Sequence, residues 1–235
     1  MKKLTNYIFT ILFTIVLAFG FSLISNTSNV FASSSNHIKS YSKSYSLKKK
    51  NKVIAKGKFT GLKVKNKSKL ANVVNSISNN NYKQFTAEWA EIKDYAKSLK
   101  PSADYLWIIC ETSQIGGDKN FISIETIYSS YSGGAHPLSF YSYDNIYKKS
   151  GKKVSLQKLA KCSIHSFNEK VISAIDKKFP TTEDKNCLAK DFRKRLRKRK
   201  FKDYEFYYKR GKLHIVFGEY EIGGYSLGMV DIIVK

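Results

Sequence analysis

The chain has only three cysteines among 235 residues, too few for a disulfide-dense scaffold or a cysteine-rich zinc module. Four histidines, His37, His136, His165 and His214, lie far apart in sequence and offer no paired ligands for a metal hydrolase. Three prolines and 13 glycines exclude collagen-like and proline-rich tracts. Acid is scarce as well. Asp and Glu number 18 against 42 Lys and Arg, a net charge of +24, and the first acidic residue is Glu88. What is present is 42% hydrophobic and 14% aromatic residues, which excludes a wholly disordered chain.

The first segment has the form of an export signal. Met1-Lys2-Lys3 is followed by an uncharged apolar stretch, residues 7–24, and then by a polar stretch ending Val30-Phe31-Ala32. Val30 and Ala32 are small residues at the −3 and −1 places of a signal-peptidase site. Cleavage is expected after Ala32, which gives a secreted or cell-envelope protein. The alternative is an uncleaved N-terminal membrane anchor, because about 18 apolar residues suffice to cross a bilayer. The Lys- and Asn-rich, proline-poor composition is a style of low-GC Gram-positive bacteria.

The charge is concentrated. Residues 33–87 carry 13 lysines and no acid, and residues 193–200 carry seven basic residues in eight. Without Lys2 and Lys3 the net charge is +22, so everything outside those two regions sums to +2. Leu188, Phe192 and Leu196 recur by four, which predicts an amphipathic helix with a narrow apolar seam and basic flanks. Like charges at i and i+4 weaken such a helix, and an anionic partner relieves them. The candidate anion-binding residues are Arg193, Lys194, Arg195, Arg197, Lys198, Arg199 and Lys200.

The serine-, tyrosine- and lysine-rich residues 33–51 read as a disordered basic linker. Residues 53–64 read as strand, turn at Gly61 and strand. Residues 70–77 and 85–99 read as two helices. Residues 105–111, 121–131 and 138–147, separated by Gly116-Gly117-Asp118 and Gly133-Gly134, predict a three-stranded antiparallel meander. Two more helices follow, the second closed at Pro180. Strands at 204–208, 213–217 and 230–234 end the chain, with a hairpin turn at Lys209-Arg210-Gly211. The fold class is α+β, with largely antiparallel sheets, packed helices and two small lobes, at 52–135 and 136–235. Cys162 and Cys187 flank a helical segment and could pair in an exported protein. Cys110 reads as a buried small hydrophobe.

Two stretches are distinctive. One contains Tyr131, Gly133, Gly134, Ala135 and His136; the other follows residues 213–217 and contains Tyr220, Glu221, Tyr225 and Gly228. Together they resemble an exported domain pair of undefined function (DUF3298- and DUF4163-like). It is shared by RsiV-type anti-sigma factors that sense lysozyme and PdaC-type peptidoglycan deacetylases. The resemblance covers about residues 51–235. It implies an extracytoplasmic α+β domain that binds something in, or attacking, the cell wall. Only six residues precede the apolar stretch, so no sigma-binding arm is expected. Where the family has an Ala-Pro step, this chain has Gly223-Gly224.

The expected function is a secreted envelope-binding module without catalytic activity, metal or cofactor. Its basic patches draw it to an anionic wall polymer or membrane surface, and its folded face recognises a protein or glycan. Lysozyme and peptidoglycan are further candidate partners. Nucleic acid is the weaker one, since export separates the chain from most of it and no nucleic-acid motif is visible. The alternatives are a lysozyme-binding sensor or inhibitor, and a wall-active hydrolase using His136 or His214 with Glu221 or Asp144. Structural roles are expected for most of these side chains: a positive-φ turn at Gly133-Gly134, a hydrogen-bonding role for His136, and for Glu221 a cap on backbone N–H groups or a pair with a basic residue.

Overall fold

The computed structural model describes residues 38–99, 105–181 and 187–235. The export segment and its cleavage site after Ala32 lie outside the described residues. So do residues 33–37 of the expected linker.

The remainder of that linker is not a linker. Ile38–Lys49 forms strand β1, antiparallel to β2, Lys52–Val64. The reason is an alternation masked by serine and lysine. Tyr41, Tyr45 and Leu47 share one face and pack on the core. The Tyr45 ring lies 5.4 Å from Phe85 and 5.9 Å from Trp89, and its hydroxyl bonds that of Tyr82 at 2.8 Å. Lys50 and Asn51 both adopt left-handed φ, 48° and 62°, as a two-residue hairpin turn of the favoured hand requires. Residues 52–64 are one strand, without the expected turn at Gly61.

The two expected helices at 70–77 and 85–99 are one helix, α1, Lys69–Ser98. Ser68 caps it, accepting from the Ala71 N–H at 3.0 Å. The apolar seam lapses between them, but polar side chains hold the helix to the sheet there. The Ser78 hydroxyl accepts from Leu62 N–H at 2.8 Å, and Asn75 exchanges two bonds with the Val64 backbone. Asn81 donates to Thr112 and Thr126, each at 3.0 Å. Gly57 lets the helix come close: a Cβ there would sit 3.0 Å from Trp89.

α1 carries the chain from β2 to β3, Leu106–Gly117, which runs parallel to β2. β3, β4 (Phe121–Tyr131) and β5 (Leu138–Tyr147) form the expected meander. The first sheet is thus mixed, in the order β1-β2-β3-β4-β5. Phe59, Phe85, Leu106 and Ile108 fill one part of the space under α1, and Val74, Ile124 and Ile146 another.

Three short or medium helices follow: α2, Leu156–Ala160; α3, Ile164–Lys178; and α4, Phe192–Arg197. They pack on a second, antiparallel sheet of β6 (Glu205–Lys209), β7 (Lys212–Phe217) and β8 (Val230–Val234). α4 is shorter than the predicted basic helix. Leu188 is drawn out of it into a backbone bridge with Gly223.

The architecture is α+β, with two sheets and four α-helices among the described residues. The boundary expected at 135/136 falls inside the first sheet, because β4 and β5 are hydrogen-bonded neighbours across it. The described residues belong to one compact unit. β5 is the outer strand of its sheet, and two carboxylates occupy its free side: the N–H groups of Ser139 and Tyr143 donate to Glu219 at 3.2 Å and Glu205 at 2.8 Å. Cys162 carries a free thiol, so the pairing with Cys187 is not formed. Cys110 is fully buried. No described helix is long and apolar enough to cross a membrane.

Candidate functional site

The loop between β4 and β5 is shaped by Gly133 and Gly134, at φ 98° and 108°. The Tyr131 hydroxyl donates to the Gly134 carbonyl at 3.0 Å and closes it. The loop after β7 curls because the Glu221 carboxylate accepts the Gly218 N–H at 2.8 Å. A 3-10 turn, Tyr225–Leu227, follows, ending at Gly228 with φ 58°.

These two loops, 84 residues apart at their contact, meet at His136. Its Nδ1 lies 2.9 Å from the Pro137 carbonyl and its Nε2 lies 2.8 Å from the Tyr220 hydroxyl. A carbonyl only accepts, so Nδ1 carries the proton and Nε2 accepts from Tyr220. The imidazole also stacks on Tyr225, with centroids 3.7 Å apart and planes 17° from parallel. Tyr220 holds a left-handed φ of 64° and is 51% exposed. A non-glycine residue there stores strain of about 1 kcal/mol or more.

The basic segment joins the same cluster through Glu221. Its carboxylate pairs with Arg199, and its backbone carbonyl accepts from Arg195 at 3.1 Å. Arg199 is mostly enclosed, lying over the Tyr204 ring at 4.7 Å. A cleft of about 290 Å³ separates α4 from this loop, lined by Arg195, Lys198, Arg199 and Glu221.

The fold that brings these loops together is that of DUF3298 family proteins. One solved structure of that family, from Bacteroides fragilis, is 15% identical, matches 85% of this chain and 90% of its own, and has a TM-score of 0.63. A second, from Pseudomonas aeruginosa, is 14% identical, matches 86% of this chain and 95% of its own, and has a TM-score of 0.59. No family model matches the sequence, and no curated protein matches it.

Within this DUF3298-type fold the seven candidate anion-binding residues divide sharply. All four arginines pair with acids of the chain itself. Arg193 pairs with Asp176, Arg195 with Asp191 at 3.1 Å, Arg197 with Glu169 at 2.8 Å, and Arg199 with Glu221. Lys194, Lys198 and Lys200 are exposed and form no ion pair among the described residues. The arginines tie α4 to its neighbours, and the lysines hold the charge that faces outward.

None of the pairings expected for a hydrolase forms. Glu221 faces Arg199, and Asp144 pairs with Lys153 at 2.9 Å. His214 pairs instead with Asp231, Nδ1 donating at 3.0 Å. The structure also builds a cluster the sequence did not reveal. The rings of Tyr143, Tyr207 and His214 stack in series, at 5.3 and 4.3 Å. Glu125 accepts from the Tyr143 hydroxyl at 2.7 Å, and Asp231 accepts from Tyr207. Burial holds the Glu125 carboxyl and both tyrosine hydroxyls above their ordinary ranges. These residues lie on five strands from both sheets, so only the assembled topology could show it. Of the tyrosines on or beside β4, β5 and β6, Tyr204 and Tyr207 are buried and Tyr128, Tyr131, Tyr141, Tyr143 and Tyr208 are half-buried, which leaves them little face for a sugar. The exposed tyrosine of the site is Tyr220. Among the described residues no group of three or more His, Cys, Asp or Glu is placed to hold a metal ion.

Proposed function

We propose that the chain is an exported, non-catalytic envelope-binding module that engages an anionic wall glycan. Its recognition face is the cluster of His136, Tyr220 and Tyr225, tied through Glu221 to the basic segment that carries Lys194, Lys198 and Lys200. The observation that carries this reading is the link through Glu221. One residue joins the loop of exposed and stacked rings to the basic segment, so that ring faces for sugars and ammonium groups for phosphates or carboxylates belong to one structural unit. The strained, exposed Tyr220 supports it, because such strain persists where the surroundings enforce it and collects at binding sites. His136 fits that reading, since its Nδ1 faces the Pro137 carbonyl rather than a carboxylate that would orient it as a base.

The test is sedimentation of residues 33–235 with purified Gram-positive cell walls, before and after removal of teichoic acid. Binding is expected to fall when the polymer is stripped, when salt is raised, and in the Tyr220→Ala variant. Binding indifferent to all three would refute the proposal. A lysozyme titration by calorimetry in parallel separates this reading from that of a lysozyme sensor: heat with lysozyme and none with wall polymer favours the latter.

A further inference from the structure

Away from the motif loops, a second groove of about 1010 Å³ opens between α3 and the end of the β6–β8 sheet. Its volume is at the upper end of small-ligand sites. The last cross-strand row of the sheet, Leu213 opposite Val234, forms the floor, with Leu159 and Ala160 at the end of α2 and Ala174 on α3. Its rim is of another character. Lys170 and Lys177 stand on α3, and Lys212 and Lys235 on the sheet side. None of the four forms an ion pair among the described residues. The lining holds one acidic side chain, Glu169, and that carboxylate is taken up by Arg197 at 2.8 and 3.4 Å. The mouth therefore carries uncompensated positive charge above an apolar floor.

We infer that this groove binds the acyl chain of an anionic lipid, with its headgroup phosphate held among the rim lysines. The chemistry is complementary at both ends. An acyl chain laid on the apolar floor removes both from water, and a phosphate answers the clustered ammonium groups. A free sugar phosphate satisfies the rim alone, and a neutral amphiphile the floor alone. The groove is separate from the Tyr220 face and does not depend on its assignment.

The probe is palmitoyl lysophosphatidylglycerol below its micellar concentration, titrated into residues 33–235 by calorimetry. Saturable binding with one lipid per chain is expected, at least about tenfold tighter than for palmitoyl lysophosphatidylcholine. Glycerol phosphate alone is expected not to bind. The Lys170→Glu/Lys177→Glu variant, altered only at exposed positions, should lose at least about tenfold in affinity. Ala174→Trp should block the floor, with its fold checked by circular dichroism. The Lys194→Gln/Lys198→Gln/Lys200→Gln variant should keep lipid affinity while losing wall binding, so that the two sites fail separately. Equal affinity for the two lysolipids, no saturable binding, or displacement of the lipid by an acidic peptide would each overturn the inference.

Discussion

The division between paired arginines and outward lysines makes a quantitative prediction about salt. A flexible polyanion releases counterions as a protein neutralises its charges, and the logarithm of affinity falls with the logarithm of salt by about 0.7 per contact. Seven contacting cations in residues 193–200 would add about 5 to that slope. In the structure four of the seven already face Asp176, Asp191, Glu169 and Glu221. Only Lys194, Lys198 and Lys200 remain, which add about 2. Replacing these three by Gln should flatten the slope by that amount. Between about 50 and 200 mM salt, the unaltered protein should then lose roughly 18-fold more affinity than the triple variant. Fluorescence titration with purified teichoic acid at several salt concentrations measures this. Arg193→Gln is the control, expected to leave the slope unchanged and to cost about 0.2–1 kcal/mol of stability through the partner left at Asp176. A triple variant with the parent slope refutes the reasoning. So does an Arg193→Gln variant that flattens it as much as a lysine substitution does.

Three further outcomes are expected. At Tyr220, the Gly variant should be more stable than the Ala variant by about 1 kcal/mol, read as a higher midpoint in urea, while both lose the hydroxyl on His136 and wall binding. Glu125 has a folded-state pKa raised by burial above its ordinary value of 4.5. An acid of that kind favours the folded state while protonated, so stability should decline as pH climbs from 4.5 through the folded value; Glu125→Gln should flatten that decline in urea melts at a series of pH values. The Cys110 thiol is fully buried, and burial, with Glu88 and Glu111 nearby, pushes its pKa up to about 12. Ellman's reagent should react with native Cys162 or Cys187 before Cys110, which should respond only on unfolding.

The meander was legible in the sequence because its strands alternate cleanly and glycine pairs mark its turns. α1 was legible in its apolar thirds but not in its middle, where Ser78 and Asn81 look like loop residues until the backbone N–H and the threonines they bond are in place. β1 was misread for a related reason. Its lysines and serines dominate the composition, whereas the tyrosines at alternate positions decide the structure by packing on Phe59, Phe85 and Trp89. At the site, the residues of both loops were visible as motifs, and the cap and ion pair of Glu221 were foreseen as alternatives that turn out to coexist. The contact of His136 with Tyr220 was not visible, since nothing local signals a bond between residues 84 positions apart. Neither was the pairing of the arginines, whose partners lie on α3, ahead of α4 and in the loop after β7.

The carboxylates of Glu205 and Glu219 along β5 have a consequence for how this protein fails. An outer strand with unmet N–H groups is a template for a second chain, and Leu138 and Phe140 on this one are 44% and 67% exposed. Both guarding residues come from the part of the chain that follows β5. Whatever loosens β6 and the loop after β7 uncovers a sticky edge in the same event. Aggregation of this protein should therefore begin there, with β5 joining β5 of another copy, well before the helix-covered half of the first sheet has melted.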